Sequence, residues 1–205
     1  MLNKITDPIS ESLFGVAPKP YQAVLTKMVR GLGDIPIWDE YKYSCFTVAS
    51  FVTMVFNSLG FNAKAVSCYA VATKDGLIHG LGAKDQAQSI NEVDSHVVCI
   101  VDNQLLVDFA TASITRSFSI DFPSAVAFSI NANQNFPCLL KIDHHQSISY
   151  HDEWANPRVY ALIEEHISYA KELYRQYQIA STEIETHSAS HLESAGIHNL
   201  LHYQI

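Results

Sequence analysis

The stretch Ser44-Cys45-Phe46-Thr47-Val48-Ala49-Ser50-Phe51-Val52-Thr53-Met54-Val55-Phe56-Asn57-Ser58-Leu59-Gly60 decides the fold. After the cysteine its only polar members are Thr47, Ser50, Thr53, Asn57 and Ser58, too few to give a helix a face for water. A helix that is apolar nearly all round lies in the centre of a domain, and a glycine just past its end supplies the stop. The pattern therefore predicts a buried central helix over 44–59. Cys45 at its head would lie near unpaired backbone N–H groups and the positive end of the helix dipole. Both favour the thiolate, and the same N–H groups can stabilise an oxyanion.

Working outward, the segment Pro20 to Arg30 has Tyr21, Val24, Leu25 and Met28 at helical spacing, with Pro20 in the first turn and Gly31-Leu32-Gly33 as its close. After Gly60 the period changes from about 3.6 to 2. Ala63 to Thr73, Ser95 to Val101, Leu105 to Thr111, Ala125 to Ile130 and Pro137 to Ile142 read as strands separated by turn residues. The interval Lys74 to Asp94 shows little periodicity and reads as a long loop, either a functional lid or substrate-binding edge or a surface excursion without a role. Asn156-Pro157 opens a C-terminal helix running to about 178, and beyond Ser181 the tail is polar and rich in histidine. The expectation is an α+β fold: one domain over 1–205, with a catalytic core of about 43–142, a helix at 157–178 and a tail at 181–205.

Composition narrows the functional classes. With 48% hydrophobic and 17% charged residues the chain can fill a real core, which excludes disorder for most of it. The 13 Lys and Arg against 21 Asp and Glu leave a net charge of −8, and the basic residues are scattered singly, so a nucleic-acid partner is not expected. No apolar run approaches the roughly 18 residues that span a bilayer, and no basic region followed by an apolar run opens the chain. A cytoplasmic protein without membrane contact is expected, export by a signal-independent route being left open. Cys45, Cys68, Cys99 and Cys138 contain no Cys-x-x-Cys pair, so structural zinc is not expected; their number allows disulfides, but with no export signal read all four are expected to stay reduced.

A reactive thiol needs a base and a group that holds the base. His96 opens the run Val97-Val98-Cys99-Ile100-Val101, and Asp108 closes Leu105-Leu106-Val107, with Asp102-Asn103-Gln104 between them. A three-residue turn pairs Val101 with Leu105 and Val98 with Asp108. The carboxylate then lies diagonal to His96 on the same face, about 7–8 Å away by backbone position. A two-residue turn would put it on the other face. The triad reading thus requires three residues in the turn, with Asn103 or Gln104 left-handed. An Asp among apolar strand residues is costly to bury alone, which is a reason to expect a partner.

The stretches Tyr43-Ser44-Cys45-Phe46-Thr47-Val48-Ala49-Ser50, Ser58-Leu59-Gly60-Phe61-Asn62-Ala63 and Ser95 to Asp108 together resemble the transglutaminase-like branch of the papain-like cysteine enzymes. The resemblance covers residues 43–111. It implies a papain-like core, a central helix packed on an antiparallel β-sheet with extra N- and C-terminal helices. It also implies Cys45 as nucleophile, His96 as general base and acid, and Asp108 as the residue that orients the imidazole. Ser44 stands where such enzymes commonly have Gly, Val97 and Val98 replace an aromatic, and Phe109 replaces a Pro. The arylamine N-acetyltransferases share the Cys, His, Asp order, but Lys42-Tyr43-Ser44 replaces their Arg-Gly-Gly.

The expected reaction is attack on an amide carbonyl, a thioester, and release to water, on a protein or peptide substrate: a glutamine deamidase, amidase or protease. Transfer to an amine, as in a transglutaminase or N-acyltransferase, and a binding module that keeps the fold without catalysis are the alternatives. His79 is an alternative base, and Trp38 and Tyr43 are candidates to line a substrate channel. The i,i+4 pairs His187 with His191 and His198 with His202 could share a helical face toward a divalent metal. His144-His145 near Asp143, and His151-Asp152-Glu153, lack ligand spacing. No metal and no cofactor are expected, since no dinucleotide or phosphate-binding glycine motif is present.

Overall fold

The computed structural model describes residues 17–32, 44–82, 95–132, 136–152 and 158–194. Their elements in chain order are α1 (Lys19–Leu32), α2 (Cys45–Ser58), β1 (Ala63–Lys74), β2 (Leu77–Leu81), β3 (His96–Val101), β4 (Leu105–Asp108), α3 (Ala112–Phe118), β5 (Val126–Ser129), β6 (Cys138–Lys141), β7 (Gln146–His151), α4 (Arg158–Glu165) and α5 (Ile167–Ser194). This is an α+β architecture with an antiparallel, nearly closed sheet.

Helix α2 buries Thr47, Val48, Ala49, Ser50, Phe51, Val52, Val55 and Phe56, so its β-branched residues are held by packing and not by helix propensity. Its end is a Schellman stop. Gly60 has φ +87°, its N–H reaches the Asn57 carbonyl, and the Phe61 N–H reaches that of Phe56. The Phe56 and Phe61 rings meet edge to face at 5.6 Å. The Asn57 amide then brackets Ala63, donating to its carbonyl at 3.1 Å and accepting its N–H at 2.8 Å, and so delivers the chain into β1.

The strand order is β5-β4-β3-β1-β7-β6, with β2 also on β1. The twelve residues of β1 serve two partners in turn, Ala63–Cys68 against β3 and Tyr69–Lys74 against β7. Every residue of β3 and β4 is buried, because both faces of this part of the sheet are covered. Cys99, Val101, Leu105 and Val107 join the core under α2, while Val98, Ile100 and Leu106 face a second core with Cys68, Ala70, Ile148 and Tyr150, closed by Ile114 and Phe122. A smaller cluster of Ala49, Val97 and Val159, with Phe46 and Ile163 against it, joins the first turns of α2 to the start of β3.

Several boundaries differ from the sequence reading. Gly31 lies inside α1 instead of ending it. A Cβ there would stand 2.7 Å from the Tyr177 ring of α5, so the glycine permits close helix packing. The interval 74–94 holds a strand: Asp75 (φ 49°) and Gly76 (φ 81°) form a tight two-residue hairpin turn between β1 and β2. Residues 83–94, 33–43 with Trp38 and Tyr43, and 153–157 with the Asn156-Pro157 helix start lie outside the described residues. The strand expected to reach Thr111 stops at Asp108. The C-terminal helix is interrupted at His166 and continues through the region expected to be a tail, as far as Ser194. Strand β7 was not anticipated. No described helix is long and apolar enough to cross a membrane.

Candidate active site

Three elements meet at the head of α2. Ser44, extended at ψ 172°, is the N-cap residue and its carbonyl accepts the Val48 N–H at 3.0 Å, so Cys45 occupies the first helical position. The half-buried Cys45 thiol donates to the Ser95 carbonyl at 3.7 Å, and its sulfur is near enough to the His96 imidazole to raise the proton affinity of the ring. His96 is the first residue of β3, and its ring is buried.

The turn has three residues. Val101 pairs with Leu105 and Cys99 with Val107, which sets Val98 opposite Asp108. Asp102 and Asn103 are both left-handed, at φ 51° and 53°. Asp102 adds an anchor the sequence reading missed: its carboxylate accepts the Asn62 N–H and the Tyr21 hydroxyl, each at 2.9 Å. In this register His96 Nε2 meets Asp108 Oδ2 at 2.7 Å. The Asp108 carboxylate is buried and fully engaged. Oδ2 also accepts the Tyr150 hydroxyl at 2.9 Å, and Oδ1 accepts the Ala110 N–H at 2.8 Å. That last bond, from an Asp to backbone two residues on, turns the chain and ends β4.

Burial pulls the His96 pKa down, but the adjacent Asp108 carboxylate and Cys45 sulfur outweigh it and push the value up to about 10. The imidazole therefore carries its second proton at neutral pH. With Nε2 on Asp108, the other ring nitrogen is the one left for Cys45. The backbone at His96 is enclosed by Gly82 (φ +77°), where any Cβ would overlap the His96 nitrogen and Ser95 carbonyl carbon.

The remaining cysteines separate from Cys45. Cys68 sits opposite His96 in the β1–β3 register, fully buried, with its thiol pushed well up by burial and by Asp108. Burial also raises Cys99 and the half-buried Cys138, each to about 12. All four are free thiols.

His79 packs its ring on Phe118 at 4.5 Å instead of approaching the cysteine. His144 and His145 occupy the β6–β7 turn, where Asp143 Oδ1 accepts the His145 and Gln146 N–H groups, and His151 bonds Ser149. The side chains of His187 and His191, and residues 195–205 with His198 and His202, lie outside what is described. Among the described residues, no group of three or more His, Cys, Asp or Glu is arranged to hold a metal ion.

Tyr150 is the site residue that sequence reasoning missed. The signal was the alternation Gln146, Ile148, Tyr150 inward and Ser147, Ser149, His151 outward, legible as period 2 despite its polar content.

Fold and site together define an α+β protein in which a helix-head cysteine, a buried histidine and a buried aspartate converge. Compared with known proteins, the chain matches no protein-family model, no curated protein and no solved structure.

Proposed function

We propose that the chain is a cysteine-dependent amide hydrolase of papain-like, transglutaminase-like type, acting on a protein or peptide amide through a thioester. The observation that carries this reading is the buried His96 ring held on Asp108 through Nε2, with the Cys45 sulfur near enough to act on the same ring. The imidazole supplies the base and acid that a nucleophilic sulfur needs, and the helix head adds backbone N–H groups.

In this reading the Cys45 sulfur attacks the amide carbon, and the carbonyl electron pair moves to oxygen, where N–H groups at the head of α2 receive the charge. Collapse breaks the C–N bond, with the His96 proton passing to the departing nitrogen. Neutral His96 then takes a proton from water as its oxygen attacks the thioester, and collapse breaks the C–S bond to release the acid product and the Cys45 thiolate, with the proton kept on His96 as at the start. Asp108 holds the ring throughout. An amine in place of water would turn the same site to transglutaminase or N-acyltransferase chemistry.

The test is the pH dependence of iodoacetamide labelling. Rapid modification of one cysteine near neutral pH is expected, abolished by Cys45→Ala and slowed at least about tenfold by His96→Ala, the loss of a charge-assisted partner. Uniformly slow labelling of all four cysteines would sink the reading and favour a binding module that keeps the fold without catalysis.

A further inference from the structure

We propose that Tyr150 is a positioning residue of this site, fixing the Asp108 carboxylate and, through it, the direction in which the His96 ring faces Cys45. The proposal rests on the catalytic reading above for its consequence but not for its geometry. Tyr150 is fully buried near the end of β7, on a strand that contributes neither nucleophile nor base. Its hydroxyl donates to the same Asp108 oxygen that faces His96 Nε2, at 2.9 Å and 2.7 Å respectively. A carboxylate oxygen held by one donor can swing with its partner, whereas one held by two donors from different strands, with its twin held by the Ala110 N–H, has a single orientation. The Tyr150 ring also lies nearly parallel to the imidazole, centroids 6.4 Å apart at 24°, and Phe128 backs it at 6.1 Å.

The groups that bear on this hydroxyl come from several strands: Asp108 of β4, to which it donates, His96 of β3, whose ring lies against the tyrosine ring, and Cys68 of β1 and Cys138 of β6, which act on it electrostatically. Asp108 is the carboxylate among them, so the tyrosine proton has one charged acceptor. Burial and the Asp108 charge push the phenol well above its ordinary range, which keeps it a donor across the working pH scale. The hydroxyl therefore orients the carboxylate without exchanging a proton with it.

Tyr150→Phe removes only the donor and keeps the ring. Two readouts are made on the whole chain: the nitrogen-15-resolved ring N–H signal of His96, and the iodoacetamide labelling rate of Cys45 across pH. The variant is expected to exchange its His96 N–H with water faster and to label more slowly, both by about ten- to a hundredfold, the worth of a hydrogen bond to a charged group. Asp108→Asn should show the same phenotype, and the double variant should be no worse than Asp108→Asn alone, because Tyr150 acts through that carboxylate. Phe128→Leu disturbs the same ring without touching the hydroxyl and should leave both readouts at wild-type values. An unchanged His96 signal in Tyr150→Phe, or losses that multiply in the double variant, would overturn the positioning role. Slow labelling of the wild-type chain together with a Tyr150-dependent His96 signal would instead refute catalysis and leave the positioning intact.

Discussion

At the scale of single residues, the charge on His96 carries a consequence for stability. The folded pKa is raised above the value of about 6.5 that the ring has in an unfolded chain. Between those limits the native state holds a proton that the unfolded state has released, so stability falls as pH rises. The His96 contribution is complete below about pH 6.5 and lost as pH climbs through about 10. Urea midpoints followed from neutral to alkaline pH should decline in the wild type, and His96→Gln should flatten the part that begins near neutrality. Cys68 and Tyr150, both raised by burial, steepen the alkaline end in either protein. An identical slope in the variant would remove His96 as its source. Cys45 and His96 were legible as residues because each begins an apolar run, and Asp108 because it closes one. Tyr150 was not, since a tyrosine between Ser149 and His151 carries no mark of the carboxylate across the sheet.

At the scale of elements, the three-residue turn of the β3–β4 hairpin decides which face Asp108 occupies. Removing Asn103 leaves two residues between Val101 and Leu105 and shifts β4 by one position, which exchanges its two faces. Cys45 in that deletion variant should label no faster than in His96→Ala, while the chain loses stability through burial of polar groups in the wrong core. Retention of fast labelling would mean that the register is not what brings the carboxylate to the ring. This register could be read from sequence because it reduces to counting residues. The β1–β2 hairpin could have been read too, from Asp75-Gly76 between apolar neighbours, but the glycines at 80 and 82 blurred the strand that follows. The exposure of Leu77 and Ile78 on β2 blurred it further, since neither alternates with a buried partner. The continuation of α5 past Ser181 was hidden for a different reason: its polar composition lacks the apolar stripe that marks a packed helix.

At the scale of the whole molecule, α2 is the piece on which the larger core and the site depend. Phe51, wholly buried, packs edge to face on Tyr177 of α5 at 5.6 Å and lies in the core shared with α1 and the sheet. Phe51→Ala should cost about 3–5 kcal/mol, seen as a lower urea midpoint with an unchanged slope. The molecules that remain folded should still label Cys45 rapidly, because this contact is made to α5, whereas the sulfur's carbonyl partner is Ser95, just before β3. A loss below about 1 kcal/mol would show that the helix is not the keystone its burial indicates.

The small cluster of Ala49, Val97 and Val159 adds a geometric consequence. The sulfur belongs to a helix and the imidazole to a strand, so no covalent geometry fixes the gap between them. It is a layer thickness, set by how far apart Ala49 and Val97 hold α2 and β3. The distance from sulfur to imidazole is therefore gauged by two aliphatic side chains, and a single methyl group serves as its spacer.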